Sequence, residues 1–181
     1  MIVLASASPR RAELLRNAGF QFVIRSAQVD ETRRRDELAS DYVRRLAEEK
    51  ARAVAAEPGE VVLAADTTVH LGGRIFEKPA DAREALVMLK ALSGQTHEVL
   101  TGICLRRGSE VIVDCETTRV RFLPVPPAEL ETYANSGEPL DKAGAYAIQG
   151  QASKFIDRIE GCYFNVVGLP VSLVWRRLRS L

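Results

Sequence analysis

The chain has 181 residues, with 25 Lys and Arg against 24 Asp and Glu, a formal net charge of +1 and 46% hydrophobic residues. That composition excludes disorder, collagen and coiled coil, and a chain of this length buries roughly 70% of its unfolded surface without a disulfide or metal staple. Near-neutral charge supplies no general attraction for nucleic acid, and no hydrophobic run approaches the roughly 18 to 20 residues of a membrane span, so neither partner is expected.

Residues 1–5 read as a buried opening strand, and Ser8-Pro9 supplies an N-cap and a first-turn proline for a helix ending near Gly19. The opening Met1-Ile2-Val3-Leu4 has no basic segment and turns polar at once, so a cytoplasmic location is expected rather than secretion. Residues 21–25 resemble a second strand. A polar loop through Asp36 leads into a long helical pattern carrying Leu38, Tyr42, Val43, Leu46 and Ala47, stopped by Pro58-Gly59. Residues 60–65 form a short apolar run ending in Asp66-Thr67-Thr68, an interior strand that delivers polar groups at its end. Val69-His70-Leu71 and Arg74-Ile75-Phe76 flank Gly72-Gly73, which signals a hairpin.

Residues 81–92 set Ala85, Leu86, Leu89 and Leu92 at helical spacing, closed by Ser93-Gly94. Residues 99–106 and 111–122 read as an antiparallel pair joined around Arg107-Gly108-Ser109. Pro126-Pro127 opens a short helix ending near Gly137, residues 138–150 lack a period and mark a functional loop, and residues 170–178 close the chain as a helix. No repeat or linker divides residues 1–181, so one domain is expected. Helices and strands alternate while hairpins break the βαβ rhythm, so the fold class is α/β, a mixed sheet with helices packed on it. Cys104, Cys115 and Cys162 are odd in number and form no Cys-x-x-Cys pair, so they are expected as buried thiols.

The chain contains no Gly-x-Gly-x-x-Gly, Walker-type, Gly-x-Ser-x-Gly or His-Glu-x-x-His signature. His70, beside the hairpin turn, and His97, at a strand start, read as surface or structural residues, and the runs Arg33-Arg34-Arg35 and Arg176-Arg177 as solvated faces. Three signals remain. Ser6-Ala7-Ser8-Pro9-Arg10-Arg11 enters a helix with hydroxyls and guanidinium forks suited to phosphate oxygens, or is a plain N-cap with two surface arginines. Asp66 at the end of an apolar strand can bind a hard cation or take a proton from water, or is a turn residue; Glu31 in Val29-Asp30-Glu31 is a second acid or a solvated one. Lys50, Lys78 and Lys142, each ordinary alone, would with Arg11 and the two acids suit a metal-bound polyphosphate.

Taken together, these segments resemble the Maf family of nucleoside triphosphate pyrophosphatases over nearly the whole chain. The match rests on Ser6 to Leu15 (Ser-Ala-Ser-Pro-Arg-Arg-Ala-Glu-Leu-Leu), Val29-Asp30-Glu31, Ala47-Glu48-Glu49-Lys50-Ala51, Ala65-Asp66-Thr67-Thr68-Val69 and Glu77-Lys78-Pro79. It continues through Leu92-Ser93-Gly94-Gln95-Thr96-His97, the Glu138-Pro139-Leu140-Asp141-Lys142-Ala143-Gly144 run with Tyr146 and Gln149-Gly150, and Asn165-Val166-Val167-Gly168-Leu169-Pro170. The resemblance implies an elongated mixed sheet with flanking helices and a central cleft, like that of the inosine triphosphate pyrophosphatases. It implies hydrolysis of a nucleoside triphosphate to the monophosphate and pyrophosphate with a divalent cation, Mg²⁺ or Mn²⁺.

By the same resemblance Asp66 is the proton acceptor, and Ser6, Arg11, Glu31, Lys50, Lys78 and Gln149 match the family's other cleft residues. On that basis Lys50, Lys78 and Arg11 are expected as catalytic cations, Glu31 and Asp66 as metal ligands, and Ser6 and Ser8 on the substrate. Arg10, Thr67 and Gln149 match the branch acting on dTTP and UTP, where the 7-methyl-GTP branch carries Trp, Gln and Glu. A modified pyrimidine triphosphate would fit the same reading. Physically, Gln149 offers a donor and an acceptor to a uracil-type edge. The resemblance also implies a homodimer, and it leaves as the alternative a nucleotide-binding regulator of cell division and septum formation without significant catalysis.

Overall fold

The computed structural model describes residues 1–26 and 28–181. It contains β1 (Ile2–Leu4), α1 (Pro9–Asn17), β2 (Phe22–Ile24), α2 (Ala39–Arg52), β3 (Val61–Leu71), β4 (Arg74–Phe76), α3 (Ala82–Leu92), β5 (Thr96–Arg107), β6 (Glu110–Phe122), α4 (Pro127–Ala134), β7 (Ile156–Glu160), α5 (Tyr163–Val167) and α6 (Val171–Leu178). The seven strands follow the order β2-β1-β3-β5-β6-β7, with β4 added to β3. β1 runs parallel to β2 and β3, while β3 with β4 and β6 with β7 are antiparallel, so the sheet is mixed as the broken βαβ rhythm predicts. Among the described residues no helix is long and apolar enough to cross a membrane.

Two compact units divide the chain. The first comprises Met1–Thr67, Leu100–Glu116 and Phe164–Leu181. Its core forms where α2 turns its apolar face inward: Tyr42, Val43, Leu46, Ala47 and Ala51 recur at helical spacing and are all buried. Ala47 and Ala51 pack with Val3, Ala5, Val62, Ala64 and Cys104, and Tyr42, Val43 and Leu46 with Leu100. Burying each Val or Leu here contributes roughly 1.5–3 kcal/mol. The helix comes this close to β5 because residue 102 is glycine. A Cβ there would stand 2.2 Å from the Val43 carbonyl oxygen, which is backbone that cannot step aside.

The second unit comprises Thr68–Val99 and Thr117–Tyr163. Asp81 caps α3 by accepting the Glu84 amide at 2.8 Å, and the helix buries Ala85, Met88, Leu89 and Leu92. The core of this unit is aromatic. His97, Phe122 and Tyr146 meet edge to face at 4.9–5.4 Å between ring centres, and Tyr133 meets Phe155 in the same way at 5.7 Å.

Several expectations need correcting. β3 does not end at Asp66 but continues to Leu71, because Thr67, Thr68 and Val69 are strand formers and β4 pairs from Val69 onward. Asp66 is therefore a mid-strand residue. Ser8 occupies the N-cap position of α1, yet its side chain makes no capping bond; instead the Ser6 hydroxyl accepts the Ser8 amide at 3.2 Å. α2 stops at Arg52, six residues before Pro58. The unpatterned 138–150 stretch holds two 3-10 turns, Glu138–Asp141 and Ala143–Ala145. Only Cys104 is fully buried; Cys115 and Cys162 are half-buried. β7 and α5 carried no sequence signal, being five residues each.

Candidate active site

In the first unit the last turn of α2 carries Lys50 beneath β3. Its ammonium lies 2.5 Å from Asp66 Oδ1 and 2.7 Å from Glu31 Oε1. The Lys50 and Asp66 side chains are 14% and 12% exposed, whereas Glu31 is 52% exposed. One half-buried cation thus holds two carboxylates, one on a rigid strand and one on a loop. The loop is itself pinned: the Tyr42 hydroxyl donates to the Glu31 carbonyl at 2.9 Å, Asp30 accepts the Thr32 amide at 2.9 Å, and Arg45 reaches the Thr32 carbonyl at 3.2 Å. Arg45 is fixed in turn by Glu37 at 2.6 Å, a bond that holds the Glu37 carboxyl down at about 2.

A second network surrounds Arg11. Its Nε donates to the Gly168 carbonyl at 2.8 Å, Nη1 to the Ala65 carbonyl at 2.8 Å and the Ser6 hydroxyl at 3.3 Å, and Nη2 to the Thr67 hydroxyl at 3.1 Å. Of five N–H groups on a guanidinium, four are thereby taken by this unit. Burial lowers the Arg11 pKa from its ordinary value, against the opposing pull of Asp66 and then Glu31. Thr67 lies 2.9 Å from the Thr101 hydroxyl, and Thr101 gives its own proton to the Asn165 carbonyl at 3.1 Å. The Thr67 hydroxyl also lies 3.4 Å from the Gly168 carbonyl as a donor, so it shares that acceptor with Arg11 Nε.

These networks bring together Ser6, Arg11 and Thr67, and separately Glu31, Lys50 and Asp66. Ser8 and Arg10 sit half-buried at the start of α1. Lys78 and Gln149 belong to the second unit and are exposed, Gln149 on the turn formed by residues 147–150. Lys142 is occupied locally by the Glu138 carbonyl at 2.8 Å and Asp141 at 2.5 Å. His97 is structural as expected, but buried rather than at the surface, with Nε2 2.8 Å from the Tyr146 hydroxyl. Sequence reasoning missed Tyr42 and Thr101 as anchors. Tyr42 gave a signal, a phenol on the apolar face of α2 whose hydroxyl needs a partner when buried; Thr101, inside an apolar strand, gave none.

Among the described residues no group of three or more His, Cys, Asp and Glu gathers as a protein-only metal site. Glu31 and Asp66 nevertheless offer hard carboxylate oxygens on one shared cation, a donor set that suits Mg²⁺ or Mn²⁺ when substrate phosphates and water complete the coordination.

An acid–lysine cluster at the middle of a strand, on a mixed α/β sheet, is the class of arrangement found here. The family model described as Maf-like protein matches residues 1–181, and the chain belongs to the Maf family. It is 50% identical over 179 residues to a dTTP/UTP pyrophosphatase of Koribacter versatilis (strain Ellin345), covering 98% of this chain and 93% of that one. It is 53% identical over 183 residues to a dTTP/UTP pyrophosphatase of Anaeromyxobacter sp. (strain Fw109-5), covering 98% and 88%. A nucleoside-triphosphatase / dITP/XTP pyrophosphatase structure from Mycobacterium abscessus superposes on 69% of this chain and 75% of its own with a TM-score of 0.41 at 16% identity, a likeness too slight to argue from.

Proposed function

We propose that the protein hydrolyses dTTP and UTP to the monophosphate and pyrophosphate. The single observation carrying this reading is the Asp66–Lys50–Glu31 cluster, which keeps a carboxylate for water activation on a strand backbone beside a second oxygen donor. Relatives that carry the dTTP/UTP pyrophosphatase name at about 50% identity over nearly their whole length support the substrate class. We read residues 1–181 as one functional domain at work in the cytoplasm, and the family resemblance supports a homodimer.

In this mechanism Asp66 accepts a proton from the attacking water through Oδ2, since Lys50 holds Oδ1. Lys50 orients that carboxylate and offsets the charge that develops on the phosphate oxygens. Glu31 and Asp66 would hold a divalent cation, which when bound polarises the α-phosphate and draws off negative charge. Ser6 and Arg11 shape the α1 entrance, with one guanidinium N–H and the Ser8 hydroxyl left for phosphate oxygens. To the second unit we assign charge offset by Lys78 and base reading by Gln149. Arg10 and Thr67 are the remaining specificity positions.

The test is pyrophosphate release with Mg²⁺ or Mn²⁺ from dTTP, UTP, CTP, GTP, 7-methyl-GTP and ITP, with Asp66→Asn as control. General-base removal lowers turnover by about 10²–10⁴-fold, and the isosteric amide leaves folding stability nearly unchanged. An Asp66→Asn enzyme close to parental rate would remove Asp66 as the base. Preference for 7-methyl-GTP or ITP would overturn the specificity, and nucleotide binding without any turnover would favour a regulatory role.

A further inference from the structure

Gln149 sits on a turn closed by the Gly150 amide on the Ala147 carbonyl at 3.1 Å. Both ends of this turn run into one polar relay. At the entry, the Ala147 amide donates to the Tyr133 hydroxyl at 3.2 Å; that hydroxyl donates to Glu138 Oε1 at 2.9 Å; at the exit, the Gln151 amide donates to the same Oε1 at 3.1 Å. Only residues 148–150 lie between the clamped ends. Glu138 is the one charged member of the ring, and hydrogen bonds to an ionised acceptor are about twice as strong as neutral ones. Tyr133, 3% exposed and packed edge to face on Phe155, cannot swing away to find another acceptor.

The sequence makes room for this carboxylate at one place. A Cβ on residue 150 would lie 2.1 Å from Glu138 Oε1, so glycine is what lets the carboxylate reach the Gln151 amide. Lys142 completes the arrangement by binding the Glu138 carbonyl, and the Gly144 amide donates to the Glu77 carbonyl at 3.2 Å, next to Lys78. The relay thus spans the same loop that carries the base reader.

The physical need for such a clamp follows from the amide of glutamine. Uracil-type bases present a donor at N3 and an acceptor at O4, and cytosine the reverse order, yet a glutamine amide matches either by turning over. Selection between them needs groups that cannot turn over, and the peptide N–H and C=O groups of a clamped turn are of that kind. We propose that Glu138, through Tyr133 and the Gln151 amide, is a positioning residue that sets nucleobase preference by fixing the 147–150 turn. This rests on the reading that Gln149 faces the base of a pyrimidine nucleotide.

The experiment compares Kd values for dTMP and dCMP by calorimetry, and kcat and KM for dTTP and CTP, in the parent and in Glu138→Ala, Glu138→Gln, Tyr133→Phe and Gly150→Ala. Loss of one charge-assisted bond is expected to weaken dTMP binding and raise KM for dTTP about tenfold, with kcat changed less than about threefold. The dTMP over dCMP preference should fall by a similar factor. Glu138→Gln, which keeps an acceptor oxygen, should retain most of the preference. Gly150→Ala should mimic Glu138→Ala, and the double variant should be no worse than either alone. Tyr133→Phe keeps the aromatic packing, so it reports on the relay even if Glu138→Ala folds poorly. A parent without thymine preference over cytosine overturns the dTTP/UTP reading and this inference together. A parent with preference that Tyr133→Phe and both Glu138 variants preserve overturns the inference alone, as does a fall confined to kcat.

Discussion

The two units of the molecule neutralise their buried polar groups by opposite means. In the first, charge answers charge: Lys50 between Asp66 and Glu31, and Arg45 between Glu37 and Glu49. In the second, the network is mostly neutral: His97 on Tyr146, and Tyr133 with a backbone amide on Glu138. Ion pairs at the rim of a site can be exchanged for a substrate's phosphates or a cation at modest cost, since the partners are charged in either state. Neutral donors around a single carboxylate have no such alternative and keep their geometry. The first unit is therefore suited to charge chemistry and the second to holding shape.

The largest expected effect comes from breaking the ionic side of this comparison at its centre. Lys50→Met leaves Asp66 and Glu31 facing one another without their shared cation. Turnover should fall by about 10²–10³-fold, since positioned electrostatic groups contribute on that scale. Binding of Mn²⁺ without nucleotide should meanwhile tighten, because two uncompensated carboxylates attract a divalent ion more strongly. Turnover assays and paramagnetic titration read the two quantities in the same preparation. A variant with parental turnover would show that Lys50 serves only to balance charge.

A smaller effect tests whether Arg11 belongs with the ionic or the shape-holding groups. Its four bonds go to two carbonyls and two hydroxyls, so within the charged unit it behaves as a neutral network does. Arg11→Lys keeps the charge but loses the planar fork, and a buried acceptor left without its donor costs about 1–3 kcal/mol. A loss near 3 kcal/mol in urea unfolding is expected. An unchanged midpoint with a large drop in turnover would place Arg11 wholly on the substrate.

Legibility in the sequence follows the same division. α2 was plain because Tyr42, Val43, Leu46 and Ala47 repeat at helical spacing, and the β3–β4 hairpin because Gly72-Gly73 stands between Val69-His70-Leu71 and Arg74-Ile75-Phe76. Asp66, Lys50 and Glu31 were visible as charged residues beside apolar segments, but their convergence on one ammonium was not, since 16 and 19 positions of chain fold back before they meet. The 138–151 loop was opaque for a different reason. Its order comes from a hydroxyl and a carboxylate bonding to backbone amides, and side-chain-to-backbone bonds of that kind leave no period behind. Glu138 appeared only as part of a longer motif, with nothing local to mark its role.

His97 sharpens the neutral side of the comparison. It is 1% exposed, its Nε2 meets the Tyr146 hydroxyl, and its Nδ1 is buried with no hydrogen-bond partner among the described residues. Burial pushes its pKa down from 6.5 to about 4, so the folded protein refuses a proton that the unfolded chain accepts. Stability is therefore full above pH 6.5, declines as the pH falls toward 4, and declines no further from this group below that. Linkage puts the loss between about pH 7.5 and 5 at about 2 kcal/mol. His97→Gln can keep a bond to Tyr146 but does not titrate, so subtracting its urea stabilities from the parent's across that range should isolate the slope. A difference that stays flat with pH would mean that His97 accepts its proton in place, through Nδ1, and that this unit tolerates a buried charge after all.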